Sequence, residues 1–176
     1  ALLLILFRVL WGIVGSSNIR MNRLVRNPLE ALSHLRALVA RDVPVEREHN
    51  AAGAWAVVAL VLIVGTQAVT GMYIADEDEI VEGALYGSLG SDLSDLMYRV
   101  HMINANLIQI IVGLHVLMIV VYLLYAKRNL LTPMFTGTLR WPESVPLPVV
   151  DFQRWWVGLI CLVISLLGVG WLADWW

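Results

Sequence analysis

The chain has 176 residues, of which 59% are hydrophobic and only 15% are charged, and it contains eight tryptophans. A soluble domain rarely has this composition, so the sequence predicts a membrane protein. The net charge of −2 is unevenly distributed along the chain, and no basic patch suggests nucleic acid as a partner. The single cysteine, Cys161, lies in an apolar run, which argues against c-type haem attachment and against cysteine-ligated zinc or iron–sulfur sites.

Four apolar segments occupy residues 1–15, 51–75, about 97–126 and 157–172. A transmembrane helix needs about 20 mainly apolar residues to cross a hydrocarbon layer of about 30 Å. The sequence therefore predicts an all-α membrane protein, a four-helix-type bundle with about four spans in one domain over residues 1–176. The first and last segments are short for full spans. Because the chain opens inside an apolar run at Ala1, we expect the first of these helices to continue upstream.

Basic and acidic connections alternate between these segments. Residues 16–50 contain six arginines against four acids, whereas residues 76–95 contain seven acids and no lysine or arginine. The connection after the third segment is again basic, with Lys127, Arg128, Arg140 and Arg154. The positive-inside rule therefore places the basic connections in the cytoplasm and the acidic loop on the outside.

Local patterns refine the connections. Asn27 and Pro28 precede leucines at helical spacing, which predicts a short helix on the cytoplasmic interface within residues 16–50. Three prolines in residues 141–148 predict an extended segment there. Tryptophans flank the final span, as interfacial aromatic belts do; they are Trp155, Trp156, Trp171, Trp175 and Trp176.

Two histidines inside the third apolar segment carry the strongest chemical signal. His101 and His115 are 14 residues apart, which corresponds to roughly 21 Å along a helix and to about 40° around it. Ionisable side chains at membrane depth are costly and usually functional. Neutral imidazole is an iron ligand, so one helix of this kind can hold two stacked haems. For either histidine alone, a hydrogen bond to a neighbouring helix is the commoner role; the pair favours the haem interpretation.

Several other polar residues near these spans are candidate contacts. Arg99, near the outer boundary, is either a partner of haem propionates or an ordinary interfacial arginine. Arg8, about two turns inside the first segment, is expected to extend to the cytoplasmic face or to meet a propionate. His49 precedes the second span and is a candidate for contact with a propionate or a quinone, whereas His34 is expected to be a surface residue.

Uncharged polar and small residues in the spans have simpler interpretations. We expect hydrogen bonds between helices rather than substrate binding from four amides: Gln67, Asn104, Asn106 and Gln109. Ala105 and Gly113 give either room for a porphyrin or close helix packing, and the sequence does not separate the two.

At these residues the chain resembles the bacterial cytochrome b561 family, which includes the membrane cytochrome b subunits of nickel–iron hydrogenases and their relatives in formate dehydrogenases. The resemblance covers nearly all 176 residues. Its most specific part is the histidine pair in YRVHMINANLIQIIVGLHVLMIVVYLL, followed by the basic segment NLLTPMFTG. FRVLWGIVGSSNIR and EHNAAGAWAVVALVLIVGTQAVTGMY carry the rest.

The resemblance implies a di-haem cytochrome b in which His101 ligates the outer haem b and His115 the inner one. It implies that the opposing histidines come from the family's first two helices, that the first span is missing here, and that Ala1 corresponds to the middle of the second helix. We therefore expect one histidine about six residues before Ala1 and another near the cytoplasmic end of a preceding helix.

The function implied by the resemblance is electron transfer across the bacterial cytoplasmic membrane. The expected partners are a periplasmic redox protein (a hydrogenase, a dehydrogenase or a c-type cytochrome) and membrane quinone, with the acidic loop 76–95 facing the former. Two alternatives stay open. One is a stand-alone enzyme that oxidises a small reductant such as superoxide and reduces quinone; the other is an anchor subunit that has lost its haems.

Overall fold

The computed structural model of the protein describes residues 1–43, 49–76, 81–138, 141–142, 146, 149 and 151–173. In these residues the chain forms six α-helices: α1 (Leu2–Val14), α2 (Pro28–Val39), α3 (Ala51–Thr70), α4 (Ser91–Leu124), α5 (Leu131–Thr136) and α6 (Trp155–Ala173). Two short 3₁₀ turns, Ser17–Ile19 and Met21–Arg23, connect α1 to α2.

Three of these helices, α3, α4 and α6, are long and apolar enough to cross a membrane. The fourth apolar helix, α1, has 13 residues and is short for a span, as expected. The last segment was expected to be short as well, and that prediction is wrong. Its helix begins at Trp155 and runs for 19 residues, because the two tryptophans at its start continue the helix instead of only flanking it.

The helices pack as two joined layers. In the first layer α3 lies against α4, and in the second α1 lies against α6; contacts between α1 and α3 join the two. α2 packs on α3. Few side chains are fully buried. Those that are buried at the helix contacts are small, such as Ala54, which is 0% exposed, and Ser165, which is 1% exposed. Small residues let helix backbones approach closely, which is how membrane helices commonly associate.

The connection between α3 and α4 contains a small hairpin that the all-α prediction did not include. Two-residue strands, β1 (Ala75–Asp76) and β2 (Val81–Glu82), pair antiparallel. Gly83 follows them and lies close to the backbone carbonyls of Gly71 and Met72, where a side chain would collide with the end of α3. Three of the acids of the predicted acidic loop, Glu77, Asp78 and Glu79, lie outside the described residues.

The structure confirms the short helix predicted in the first basic connection. The Asn27 side chain caps α2 by accepting a hydrogen bond from the Leu29 amide at 3.0 Å, and Pro28 occupies the first turn. Leu38 is buried, whereas Leu29 and Leu35 remain 70% and 42% exposed. An exposed leucine stripe of this kind suits a helix lying against lipid, and its place at the cytoplasmic interface stays a prediction.

The two basic connections meet at one end of the protein. The Tyr125 hydroxyl, at the end of α4, donates to the Val39 carbonyl, and Arg128 donates to the Val43 carbonyl. The Ser17 amide donates to the Asp151 carbonyl, and the Asp151 amide donates to the Ser17 hydroxyl oxygen. The hairpin lies at the opposite end of α3 and α4. Most of the segment expected to be extended, residues 141–148, lies outside the described residues.

Candidate functional site

Both candidate ligands lie on α4, a single helix of 34 residues. No proline interrupts it, and Gly113 is its only glycine. At about 1.5 Å per residue the helix is about 51 Å long, well beyond the hydrocarbon layer, and His101 and His115 are roughly 21 Å apart on it. An unbroken helix of this length therefore holds two imidazoles at two depths of one membrane.

His101 is hydrogen-bonded to α3 through both ring nitrogens. Its Nε2 lies 2.7 Å from Nε2 of Gln67, and its Nδ1 lies 3.0 Å from the Thr70 hydroxyl oxygen. Asn104, one turn along α4, donates from Nδ2 to the Ile63 carbonyl and to Oε1 of Gln67, both at 2.8 Å. Asn104 is 7% exposed and Thr70 is 4% exposed. The prediction that Asn104 and Gln67 bond between helices is confirmed.

The hydrogen bonds at the two ring nitrogens together assign the tautomer of His101. The Ile63 carbonyl can only accept, so the Asn104 atom beside it is the amide nitrogen. Gln67 therefore accepts through its oxygen and donates its own N–H to Nε2 of His101. At the other end the Thr70 hydroxyl donates to the Thr66 carbonyl at 2.8 Å, so it accepts from His101. These hydrogen bonds match the tautomer with the proton on Nδ1 and a lone pair on Nε2.

Gly71 leaves room for the His101 ring. A Cβ placed on Gly71 would lie 3.1 Å from Cε1 of His101 and 3.1 Å from the Gln67 carbonyl oxygen. A larger residue at this position would push the imidazole away from the end of α3. Sequence reasoning did not single out Gly71 or Thr70, because neither belongs to a motif and α3 is apolar on all sides.

His115 has a different environment, since it is exposed and makes no hydrogen bond to the described residues. Asn104 lies 11 residues before it and Tyr122 seven residues after it, separations that are close to whole helical turns. These two residues are buried, at 7% and 8% exposure, and both bond to α3 or to its N-cap residue Asn50. His115 is nevertheless exposed, so this side of α4 is uncovered at that position within the part of the chain that the structure describes.

The remaining candidates do not gather around the two histidines. Arg8 is partly buried in α1, and its Nη1 lies 3.5 Å from the Ile19 carbonyl, so the guanidinium extends toward the basic end of the protein. Arg99 is exposed near the start of α4, and His49 is exposed just before α3. Among the described residues, none of the three contacts His101 or His115, and their contacts with propionate or quinone stay predictions.

His34 corrects an expectation, because it is buried rather than on the surface. It is 5% exposed, and its Nε2 lies 2.6 Å from the Tyr122 hydroxyl on α4. Asn50 also donates to that hydroxyl, at 3.2 Å. The surface interpretation was wrong because His34 lies on the face of α2 that packs against the bundle, and its partner is 88 residues away in the chain.

Residues 1–137 match the protein family described as prokaryotic cytochrome b561. The chain belongs to the prokaryotic cytochrome b561 family. Family membership makes it a multi-pass membrane protein and a b-type cytochrome of electron transfer that binds b-type haem. No curated protein and no solved structure matched the chain.

The donor set of this cytochrome b561 fits b-type haem. His101 presents an unprotonated Nε2, the form of imidazole that binds iron, with Nδ1–H donated to a neighbour as in most metal-bound histidines. His115 presents an imidazole on an uncovered helix face at membrane depth, where a ring bound only to lipid would be unfavourable. Iron at His101 would take the position now held by the Gln67 N–H.

Proposed function

We propose that this cytochrome b561 carries electrons across the membrane through two b-type haems, with His101 ligating the outer haem and His115 the inner one. The observation that carries the proposal is the pair of imidazoles on the unbroken helix α4, one presenting its Nε2 lone pair and one lying on an uncovered face. Each haem, when bound, supplies a one-electron couple. The donor is a periplasmic redox protein and the acceptor is membrane quinone, or the reverse.

The chain contributes position and environment. The separation of roughly 21 Å between the two ligand positions divides the membrane-wide transfer into shorter steps. The apolar residues of α3 and α4 keep water away, and this low-polarity surrounding helps to set the haem potentials. Arg99 at the outer end and Arg8 toward the basic end are the side chains suited to propionates, because arginine pairs well with carboxylates.

The acidic end supports the choice of a protein partner. Asp92 and Asp95, at the start of α4, are exposed, and they belong to the acidic loop 76–95 at the end of the bundle that lies beyond His101. An acidic surface beside the outer haem favours approach of a partner with a basic patch and does not by itself fix the binding strength.

Haem counting after single substitutions tests this proposal. We expect His101→Ala and His115→Ala each to lose one of two low-spin haems, since each removes one axial ligand, and the double variant to lose both. Pyridine haemochrome assays and reduced-minus-oxidised spectra on the haem-loaded protein in membranes give the haem content per polypeptide.

His34→Gln is the matched control, because His34 is a buried histidine that is hydrogen-bonded to Tyr122. It should keep both haems. Retention of two haems in His101→Ala or in His115→Ala would overturn the ligand assignment, and loss of a haem in His34→Gln would make His34 a ligand instead.

A further inference from the structure

We infer that Thr70 is a positioning residue for the outer haem ligand: its hydroxyl accepts the Nδ1–H of His101 and thereby presents Nε2 to iron. The inference rests on the proposed function, since it takes His101 as a haem ligand. It assigns a role to a residue on α3, a helix in which no haem ligand is predicted.

The Thr70 hydroxyl has one proton, and the direction of that proton is fixed. The oxygen lies 2.8 Å from the Thr66 carbonyl and 3.3 Å from the Gln67 carbonyl. Backbone carbonyls only accept, so the hydroxyl proton points along α3 and the oxygen's remaining capacity faces His101 Nδ1 at 3.0 Å. Thr70 is therefore an acceptor for His101 and cannot act as its donor while that bond holds.

Thr70 is 4% exposed, and Gly71 beside it allows the ring to lie against the end of α3. In such a place neither water nor lipid supplies a substitute acceptor for Nδ1–H. The hydroxyl of a threonine in a membrane helix often bonds only to a carbonyl of its own helix. The Thr70 oxygen also contacts the imidazole of another helix.

A separate hydrogen-bond network holds the other ring nitrogen of His101, Nε2. Gln67, oriented by Asn104, donates to Nε2 of His101, so that nitrogen stays unprotonated before iron binds. Iron at Nε2 would displace the Gln67 N–H, whereas the bond from Nδ1 to Thr70 uses the other ring nitrogen and would be compatible with ligation. Thr70 would therefore keep its contact with His101 when a haem is bound.

The consequence is a lower reduction potential for one haem. A hydrogen bond from the outer ring nitrogen makes the imidazole a more basic ligand, and a more basic ligand favours ferric over ferrous iron. Removal of such a partner typically changes metal affinity by about 10–100-fold. A tenfold loss confined to the ferric form raises a one-electron midpoint potential by about 59 mV.

Potentiometric titration of the haem-loaded protein in membranes tests the inference. Valine has nearly the same shape as threonine but no hydrogen-bond acceptor. In Thr70→Val we therefore expect one of the two midpoint potentials to rise by about 59 mV, which corresponds to the tenfold lower end of the affinity change. The other midpoint potential should stay unchanged. Thr70→Ser keeps the hydroxyl and should restore the original potential. Thr70→Cys, with a weak sulfur acceptor, should give an intermediate value, and it provides the reading if the valine variant does not assemble.

Thr66→Val is the control, because its side chain is exposed and makes no hydrogen bond among the described residues, while its carbonyl stays in place. An unchanged potential in Thr70→Val or Thr70→Cys, or an equal shift in Thr70→Ser, overturns the role of Thr70. If those variants show no shift although His101→Ala loses a haem, this inference alone fails; if His101→Ala keeps both haems, the proposed function fails first.

Discussion

At the scale of single residues, two asparagines of α4 differ in whether the side-chain amide bonds to another helix or to its own helix. Asn104 donates to α3 through both hydrogens of its amide, whereas Asn106, two residues along, donates to the Met102 carbonyl of its own helix and is exposed. The two residues have the same chemistry and the same host helix. They therefore form a natural pair for measuring what a polar bond between these membrane helices contributes.

We expect Asn104→Leu to destabilise the packing of α3 on α4 by about 0.6–1.7 kcal/mol, the range found for hydrogen bonds between membrane helices. Asn106→Leu should have a smaller effect, because it breaks no bond between helices. Unfolding by increasing SDS in mixed micelles, followed by circular dichroism, gives both values. Equal destabilisation by the two variants would show that the Asn104 bonds contribute nothing specific.

At the scale of elements, α2 is held on the bundle by a polar contact with α4 as well as by apolar packing. His34 and Tyr122 are both buried, and their rings lie nearly parallel, 16° apart. The Tyr122 hydroxyl accepts from Asn50 at 3.2 Å and lies 2.6 Å from His34 Nε2. One tyrosine thus joins α2, the start of α3 and the end of α4.

We expect Tyr122→Phe to loosen α2, because it removes a buried hydroxyl that serves two partners, at a cost of about 1–3 kcal/mol. The rate of limited trypsin digestion measures the loosening of α2, because Arg36 lies within α2 and trypsin can cleave there only after local unfolding. Tyr125→Phe is the control: that hydroxyl also bonds to the end of α2, at the Val39 carbonyl, but the side chain is 38% exposed. Faster cleavage in the control than in Tyr122→Phe would contradict the role of Tyr122.

The same elements show how far the sequence could predict the structure. Hydropathy and caps predict α2, α3 and α4, because an apolar run or an Asn-Pro pair is a local signal. The partner of His34 is not local, and the sequence of α2 alone does not reveal it. The face of α3 that meets His101 could not be read either, since a helix that is apolar on all sides has no periodicity to mark the contact.

The two histidines of α4 were predictable for a physical reason, whereas their environments were not. An ionisable group in an apolar run stands out in any sequence. Whether its nitrogen is already hydrogen-bonded, as in His101, or faces an uncovered surface, as in His115, depends on the register of α3 against α4. Two sites mark that register: Asn50 bonds to Tyr122 near one end of α4, and Asn104 bonds to Ile63 and Gln67 nearer the other.

At the scale of the whole molecule, charge is separated between the two ends of the bundle. The basic connections join at one end through Arg128, Tyr125 and Ser17. The hairpin and the acids at the start of α4, Asp92 and Asp95, lie at the other end. Lysine and arginine in short connections stay on the cytoplasmic side. The acidic end, and with it His101, is therefore expected to face the periplasm, and the end that contains α2 to face the cytoplasm.

Cysteine labelling tests this orientation at two positions that are both exposed, Ser88 before α4 and Arg36 in α2. Cys161 is buried at 4% exposure, so Cys161→Ala gives a suitable cysteine-free parent. In intact cells a membrane-impermeant maleimide should label Ser88→Cys and leave Arg36→Cys unlabelled, because only the acidic end faces outward. Permeabilised cells should label both, which controls for the accessibility of Arg36→Cys. Labelling of Arg36→Cys but not Ser88→Cys in intact cells would invert the orientation, and His115, not His101, would then be the ligand nearer to the periplasmic partner.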